Sequence, residues 1–231
     1  MKKLNQLKIN TGGSNIIGTP TLQELETAHI RYLNEVSPGD LFYRVATELV
    51  DISIHKKTEN VSLCDAIAVL LETWNGSYFR FNPKARLVLL SKIDTLLKIH
   101  NRHIDEFRQR TIEDFSDNDV ELVKVMFNDF EKDLGRTGTA KCLHLLAPRF
   151  FPLWDAAIAK AYKQGKGDDA YHYCSFMEKT RDQVKDLGGE KEIKRNPLKA
   201  LDEYNFITIT RGKQMRNRAK TYTDLSIEGQ Q

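Results

Sequence analysis

Apolar residues recur three and four positions apart along most of this chain, the spacing of one helix face. Thr21 followed by Glu24 is a capping-box signature, and Leu22, Leu25, Ala28, Ile30 and Leu33 form the stripe behind it. Ser37-Pro38-Gly39-Asp40 reads as a break, after which Leu41, Val45, Leu49 and Ile52, widened by Phe42, predict a helix over Leu41–Lys56. Ser62 with Asp65 opens another, with Leu63, Ile67, Leu70, Leu71 and Trp74 inward and a stop at Asn75-Gly76. Leu87, Leu90, Ile93 and Leu97 predict a helix over Ala85–Asn101, just after Pro83. Asp119 starts the next, through Val123, Met126, Phe127 and Phe130 to Leu134. Tyr171–Leu187, closed by Gly188-Gly189, and Pro197–Tyr204 are also helical. The alternation Phe206-Ile207-Thr208-Ile209-Thr210 fits a strand or an extended tail packed on helices; with no partner strand, the second reading is preferred.

The stretch between Gly135 and Tyr162 carries the densest information. Gly135 and Gly138 flank Arg136 and Thr137, a composition for a tight backbone turn. Thr139 is positioned to cap a helix with Leu143, Leu146 and Ala147 on one face, and Pro148 ends it. Arg149-Phe150-Phe151-Pro152-Leu153-Trp154 is too short and too apolar for a solvated loop and is expected to bury its aromatics. Asp155 then opens a helix of small residues from Ala156 to Ala161.

Composition narrows the class. Charged residues at 29% and apolar residues at 40% are ordinary for a globular chain, and no apolar run reaches the ~18–20 residues a membrane helix needs. Met1-Lys2-Lys3-Leu4 lacks an apolar signal core behind it, so a cytoplasmic protein is expected. Cys64, Cys142 and Cys174 are odd in number and far apart, and no spacing suits zinc. His100 and His103 have no evident third ligand, and the Asp114-Asp117-Asp119 connection lacks the glycine and terminal glutamate of a calcium loop. No metal or cofactor is implied. A net charge of +3 permits a nucleic-acid partner without demanding one, but Arg211, Lys213, Arg216, Arg218 and Lys220 make an uninterrupted basic run.

Two chemical readings of the central stretch follow. The amides of Gly135, Arg136, Thr137, Gly138 and Thr139, reinforced by the Arg136 guanidinium, can hold a phosphate. Lys141 and Asp155, on opposite arms of a helical hairpin, can form a nucleophile and charge-stabiliser pair. Beside these stand plainer readings: the turn only connects helices, Asp155 only caps, and Lys141 is a solvated lysine. Trp74, Asn75, Tyr78 and Trp154 either offer stacking and amide contacts to a flipped base or plug the core.

The run Thr139 to Tyr162, TAKCLHLLAPRFFPLWDAAIAKAY, resembles the core hairpin of the helix-hairpin-helix DNA glycosylase superfamily. The resemblance implies that Gly135 and Gly138 stand for the hairpin glycines that contact the DNA backbone. Asp155 stands for the aspartate near the flipped base, and Lys141 for the lysine of bifunctional members. The usual Leu-Pro-Gly-hydrophobic-Gly hairpin reads Leu134-Gly135-Arg136-Thr137-Gly138 here, and Trp154-Asp155-Ala156-Ala157 replaces the usual Val-Asp-Thr-His. The expectation is an all-α, glycosylase-like domain over 21–210, with an arm at 1–20 and a basic tail at 211–231. Its expected partner is duplex DNA and its expected activity base excision; the alternative is a non-catalytic nucleic-acid-binding or protein-interaction module on the same scaffold.

Overall fold

A computed structural model describes residues 17–56, 61–74, 83–163 and 165–212, all helix and connecting turn with no strand among them. Among the described residues eight α-helices follow in order: α1 Leu22–Asp51, α2 Leu63–Trp74, α3 Pro83–Arg108, α4 Asp117–Leu146, α5 Ala156–Tyr162, α6 Asp169–Asp186, α7 Gly189–Ile193 and α8 Pro197–Asn205. A π-helical turn, Ile52–Lys56, closes α1, a 3-10 turn, Ile112–Asp114, precedes α4, and a second π-helical turn, Phe206–Arg211, extends α8. No described helix is long and apolar enough to cross a membrane.

The long helix α4 is the spine. It packs against α1, α2, α3 and α6. Val123, Met126, Phe127, Phe130, Cys142, Leu143 and Leu146 along it are all fully buried, so both arms face one continuous core. The predicted turn at Gly135–Gly138 is a bend inside this helix. Gly135 alone leaves helical geometry, at φ 65° and ψ 164°, a region open essentially to glycine alone. Thr139 is therefore not a cap. It lies one turn inside the second arm, with 0% of its surface exposed.

Other expectations are corrected by packing. Helix α1 runs through Ser37-Pro38-Gly39 without a break. Its second half buries Tyr43, Ala46 and Val50 and leaves Leu41, Phe42 and Val45 more than 40% exposed, a phase opposite to that of the predicted stripe. Helix α3 begins at Pro83, its proline costing no hydrogen bond in a first turn, and buries Leu89, Ile93 and Leu96 rather than Leu90. Helix α4 starts at Asp117, not Asp119: Ser116 is the cap, and the Asp119 carboxylate returns to the Ser116 amide at 2.9 Å. Residues 206–210 continue as a helical turn instead of extending. The Thr208 hydroxyl bonds the Tyr204 carbonyl at 2.7 Å, and Ile207 packs on Ala28 and Tyr32 of α1.

The connection between α4 and α5 buries Phe150, Phe151, Leu153 and Trp154. Its own backbone is bonded outward: Asn196 donates to the Pro148 carbonyl at 2.8 Å, and the Ile112 amide donates to the Arg149 carbonyl at 2.8 Å. A short loop with these anchors fixes where α5 begins, and so where Asp155 points.

Candidate functional site

Asp155 caps α5. Its Oδ1 accepts from the amides of Ala157 at 2.7 Å and Ile158 at 2.8 Å, and its Oδ2 accepts from the Thr210 hydroxyl at 2.8 Å. Both carboxylate oxygens are thus oriented, one by the helix start and one by the turn after α8. Lys141 reaches the same region from the second arm of α4. Burial pushes its ammonium down to about 8, against the attraction of Asp202 and Asp155. An amine with that pKa keeps a substantial unprotonated fraction near neutral pH, as a nucleophilic lysine requires. Lys141 thus lies within electrostatic range of Asp155, and of a carboxylate that sequence reasoning missed, Asp202 on α8.

Asp202 belongs to a buried charge cluster. Lys199, one turn earlier on α8, lies 3.6 Å from Asp202, 3.4 Å from Glu203 and 3.4 Å from Asp40 of α1. Its ammonium also sits 4.1 Å from the centre of the Tyr32 ring and 5.1 Å from that of Tyr43. Burial opposes the charge on Lys199, but Asp202, Tyr32, Glu203 and Asp40 outweigh it and hold the ammonium well above an ordinary lysine. Burial raises the Asp202 carboxyl to about 6, with Lys199 pulling the other way. Glu203 is tied in turn to His29 at 2.8 Å and to Arg195. Beneath the cluster, the Tyr43 hydroxyl meets His144 Nε2 at 2.8 Å, and His144 Nδ1 meets the Phe151 carbonyl at 2.7 Å.

The glycine bend faces a separate cavity of about 380 Å³, lined by Glu131, Leu134, Gly135, Arg136, Thr137, Gly138 and Asp169. Arg136 reaches Asp169 at 3.4 Å, and Lys163 reaches the same carboxylate at 2.6 Å. Burial and the Asp169 carboxylate raise Glu131 to about 7. A phosphate entering here would have to draw Arg136 from Asp169 and settle beside two acidic groups. Thr139, grouped with these residues from sequence, does not line this cavity.

Trp154 is 1% exposed, ringed by Phe127, Tyr173 and Phe176, so its indole is a core element. Asn75, Tyr78, Lys213 and Arg216, and the side chain of Trp74, lie outside the described residues. Arg211 is described and lies 3.6 Å from Glu35, next to the threonine that holds Asp155. The three cysteines are buried and unbridged, and no group of three or more His, Cys, Asp or Glu among the described residues is arranged to hold a metal ion. Comparison with protein-family models, curated proteins and solved structures yields no match.

Proposed function

We propose that the chain is a DNA-directed protein of the helix-hairpin-helix glycosylase type, whose reactive centre is the Lys141–Asp155 pair and whose substrate is a damaged or mismatched base. One observation carries this reading: a half-buried lysine of depressed basicity stands within electrostatic reach of a carboxylate pre-oriented by two backbone amides and a hydroxyl. The unprotonated Lys141 amine attacks the sugar carbon bearing the base. The carbon–nitrogen bond breaks with its electron pair leaving on the base, the proton shed by the attacking amine passes to that base through solvent, and the Asp155 carboxylate offsets the positive charge that develops on the sugar; opening of the sugar ring then gives the imine that borohydride reduces. Arg211, next in sequence to the threonine that holds Asp155, would supply a phosphate contact.

The acidic wall of the glycine bend favours a second reading, a binding or interaction module in which Asp155 is only a cap. Duplexes carrying single uracil, alkylated, oxidised or mismatched bases separate the two. Base release, together with a borohydride-trapped protein–DNA adduct that Lys141→Met abolishes, supports the enzyme. Asp155→Asn keeps the cap, since asparagine caps comparably, and is expected to lose base release at unchanged thermal stability. Absence of release from every duplex in the wild-type protein would leave the module.

A further inference from the structure

The second half of α1 carries an apolar set that the core does not use. Leu41, Phe42 and Val45 are each between 41% and 49% exposed, and so is Leu90 of α3. With Val69 of α2 they line one groove of about 530 Å³ between α1, α2 and α3. Apolar side chains scattered singly over a surface are ordinary, whereas several gathered in one groove mark a place of contact. The charged residues lining it are Asp65 and Glu72, and among its described lining residues there is no cation. These two stand seven positions apart on α2, on one helix face and about 10 Å from each other along the axis.

The described chain leads towards this groove. After α8 the Phe206–Arg211 turn packs on α1, and Arg211 lies 3.6 Å from Glu35. Glu35 and Phe42 are seven residues apart on α1, hence on the same face and about 10 Å apart along its axis. A chain leaving Gly212 has two turns of α1 to follow before it meets the groove. Residues 213–231 lie outside the described residues, and their sequence suits that destination. Met215, Ala219, Tyr222 and Leu225 recur at i, i+4, i+7 and i+10, the spacing of one helix face, with Lys213, Arg216, Arg218 and Lys220 among them. As a helix, 215–225 measures about 15 Å, enough to pass both Asp65 and Glu72.

We propose that the groove between α1, α2 and α3 is the docking site of the chain's own residues 213–225, taken up as an amphipathic helix. The apolar stripe of that helix lies over Phe42, Val45 and Val69 and gives the contact its strength; its basic residues meet Asp65 and Glu72 and fix its placement. The segment is tethered to the turn beside Glu35, so its effective concentration at the groove is about millimolar, and even a weak site is filled. The proposal goes beyond the Lys141–Asp155 centre and does not depend on it.

The test uses the full chain and needs no DNA. Lys220→Cys, off the apolar stripe, takes a nitroxide label, since Cys64, Cys142 and Cys174 are buried. The methyl signals of Leu41, Val45, Val69 and Leu90 are compared with the label oxidised and reduced. All four are expected to lose most of their intensity under the oxidised label. Adding Met215→Asp and Tyr222→Asp is expected to restore them, and Val45→Asp to restore the other three. Should Val45→Asp not fold by circular dichroism, the Met215→Asp, Tyr222→Asp pair, which leaves the groove untouched, carries the test. A spin-labelled chain mixed with an isotope-labelled chain that bears no nitroxide is expected to show no broadening. Intensities indifferent to the label, broadening that survives Met215→Asp with Tyr222→Asp, or equal broadening in the mixed sample, which would seat a neighbouring copy's segment in the groove, overturns the proposal.

Discussion

Acidification from pH 7 to 4.5 should remove the stability that one neutral imidazole contributes. His144 has no exposed surface. Its Nδ1 contacts a carbonyl, which can only accept, so Nδ1 carries the proton and Nε2 accepts from the Tyr43 hydroxyl. Burial lowers the His144 pKa from 6.5 to about 4. The folded value lies below the unfolded one, so the unfolded chain takes the proton first as pH falls. The stability of the neutral ring is complete above pH 6.5 and is lost towards pH 4. At 1.36 kcal/mol per pH unit, that depression corresponds to about 3 kcal/mol. Two carboxyls work in the opposite sense over an overlapping range: Glu131, raised to about 7, and Asp202, raised to about 6, bind a proton more tightly folded than unfolded. The two carboxyls together outweigh the imidazole in the wild-type curve, so the measurable quantity is its difference from His144→Gln. Urea unfolding followed by circular dichroism at half-unit steps from pH 4 to 7.5 supplies both curves. Their separation should change by about 3 kcal/mol below pH 6.5 and stay constant above pH 7. Asp119, Asp129 and Asp169, held below the usual carboxylate range, act only at more acidic pH. Parallel curves across the whole range would refute the account of a buried neutral imidazole.

Two further substitutions address the bend and the charge cluster. A side chain at Gly135 would meet nothing within 4 Å, so Gly135→Ala isolates the backbone cost of φ 65°, ψ 164°. That cost is about 1–3 kcal/mol, seen as a Tm lowered by roughly 2–4 °C per kcal/mol. Gly18→Ala, equally open but at an ordinary φ, is the control expected to melt with the wild type. Lys199→Met leaves Asp40, Asp202 and Glu203 without their shared ammonium, and chemical denaturation at pH 7 should show a loss of about 3–5 kcal/mol. Repeating it at pH 5, where Asp202 is largely protonated, should show a smaller loss; an equal loss at both would mean that packing, not charge, is what Lys199 supplies.

Much of the helix inventory was legible because caps and stops are local. Asp155 at the start of α5, Pro148 beyond the end of α4 and Gly188-Gly189 after α6 each act within one turn of chain. Phase was harder to read. The second half of α1 offers two apolar sets, Leu41-Val45-Leu49 and Tyr43-Ala46-Val50, and docking against α2, α4 and α8 buried the second. Gly135 and Gly138 look alike in sequence, yet only Gly135 takes a positive φ, because only there does α4 turn. Of the candidate site, Lys141 and Asp155 could be read from spacing and type. Asp202 could not. Lys199, Asp202 and Glu203 stand at positions i, i+3 and i+4 of α8, a pattern usual for a solvated face, and only the arrival of α1 turned that face inward. Trp154 was open to either reading, and the rings of Phe127, Tyr173 and Phe176 assign it to the core.

The seam between α1 and the Phe206–Arg211 turn has a bearing on how the chain matures. Ala28 and Tyr32 are covered by Ile207, Tyr204 and Phe206, the contribution of a segment more than 170 positions later. A nascent polypeptide must therefore carry a greasy, uncovered stripe until nearly all of the described length has left the ribosome. The late cover is short and continuous, so a neighbouring molecule can lend the same piece. Crowded or slowly translated chains are accordingly exposed to exchange of that cover between molecules before each closes on its own.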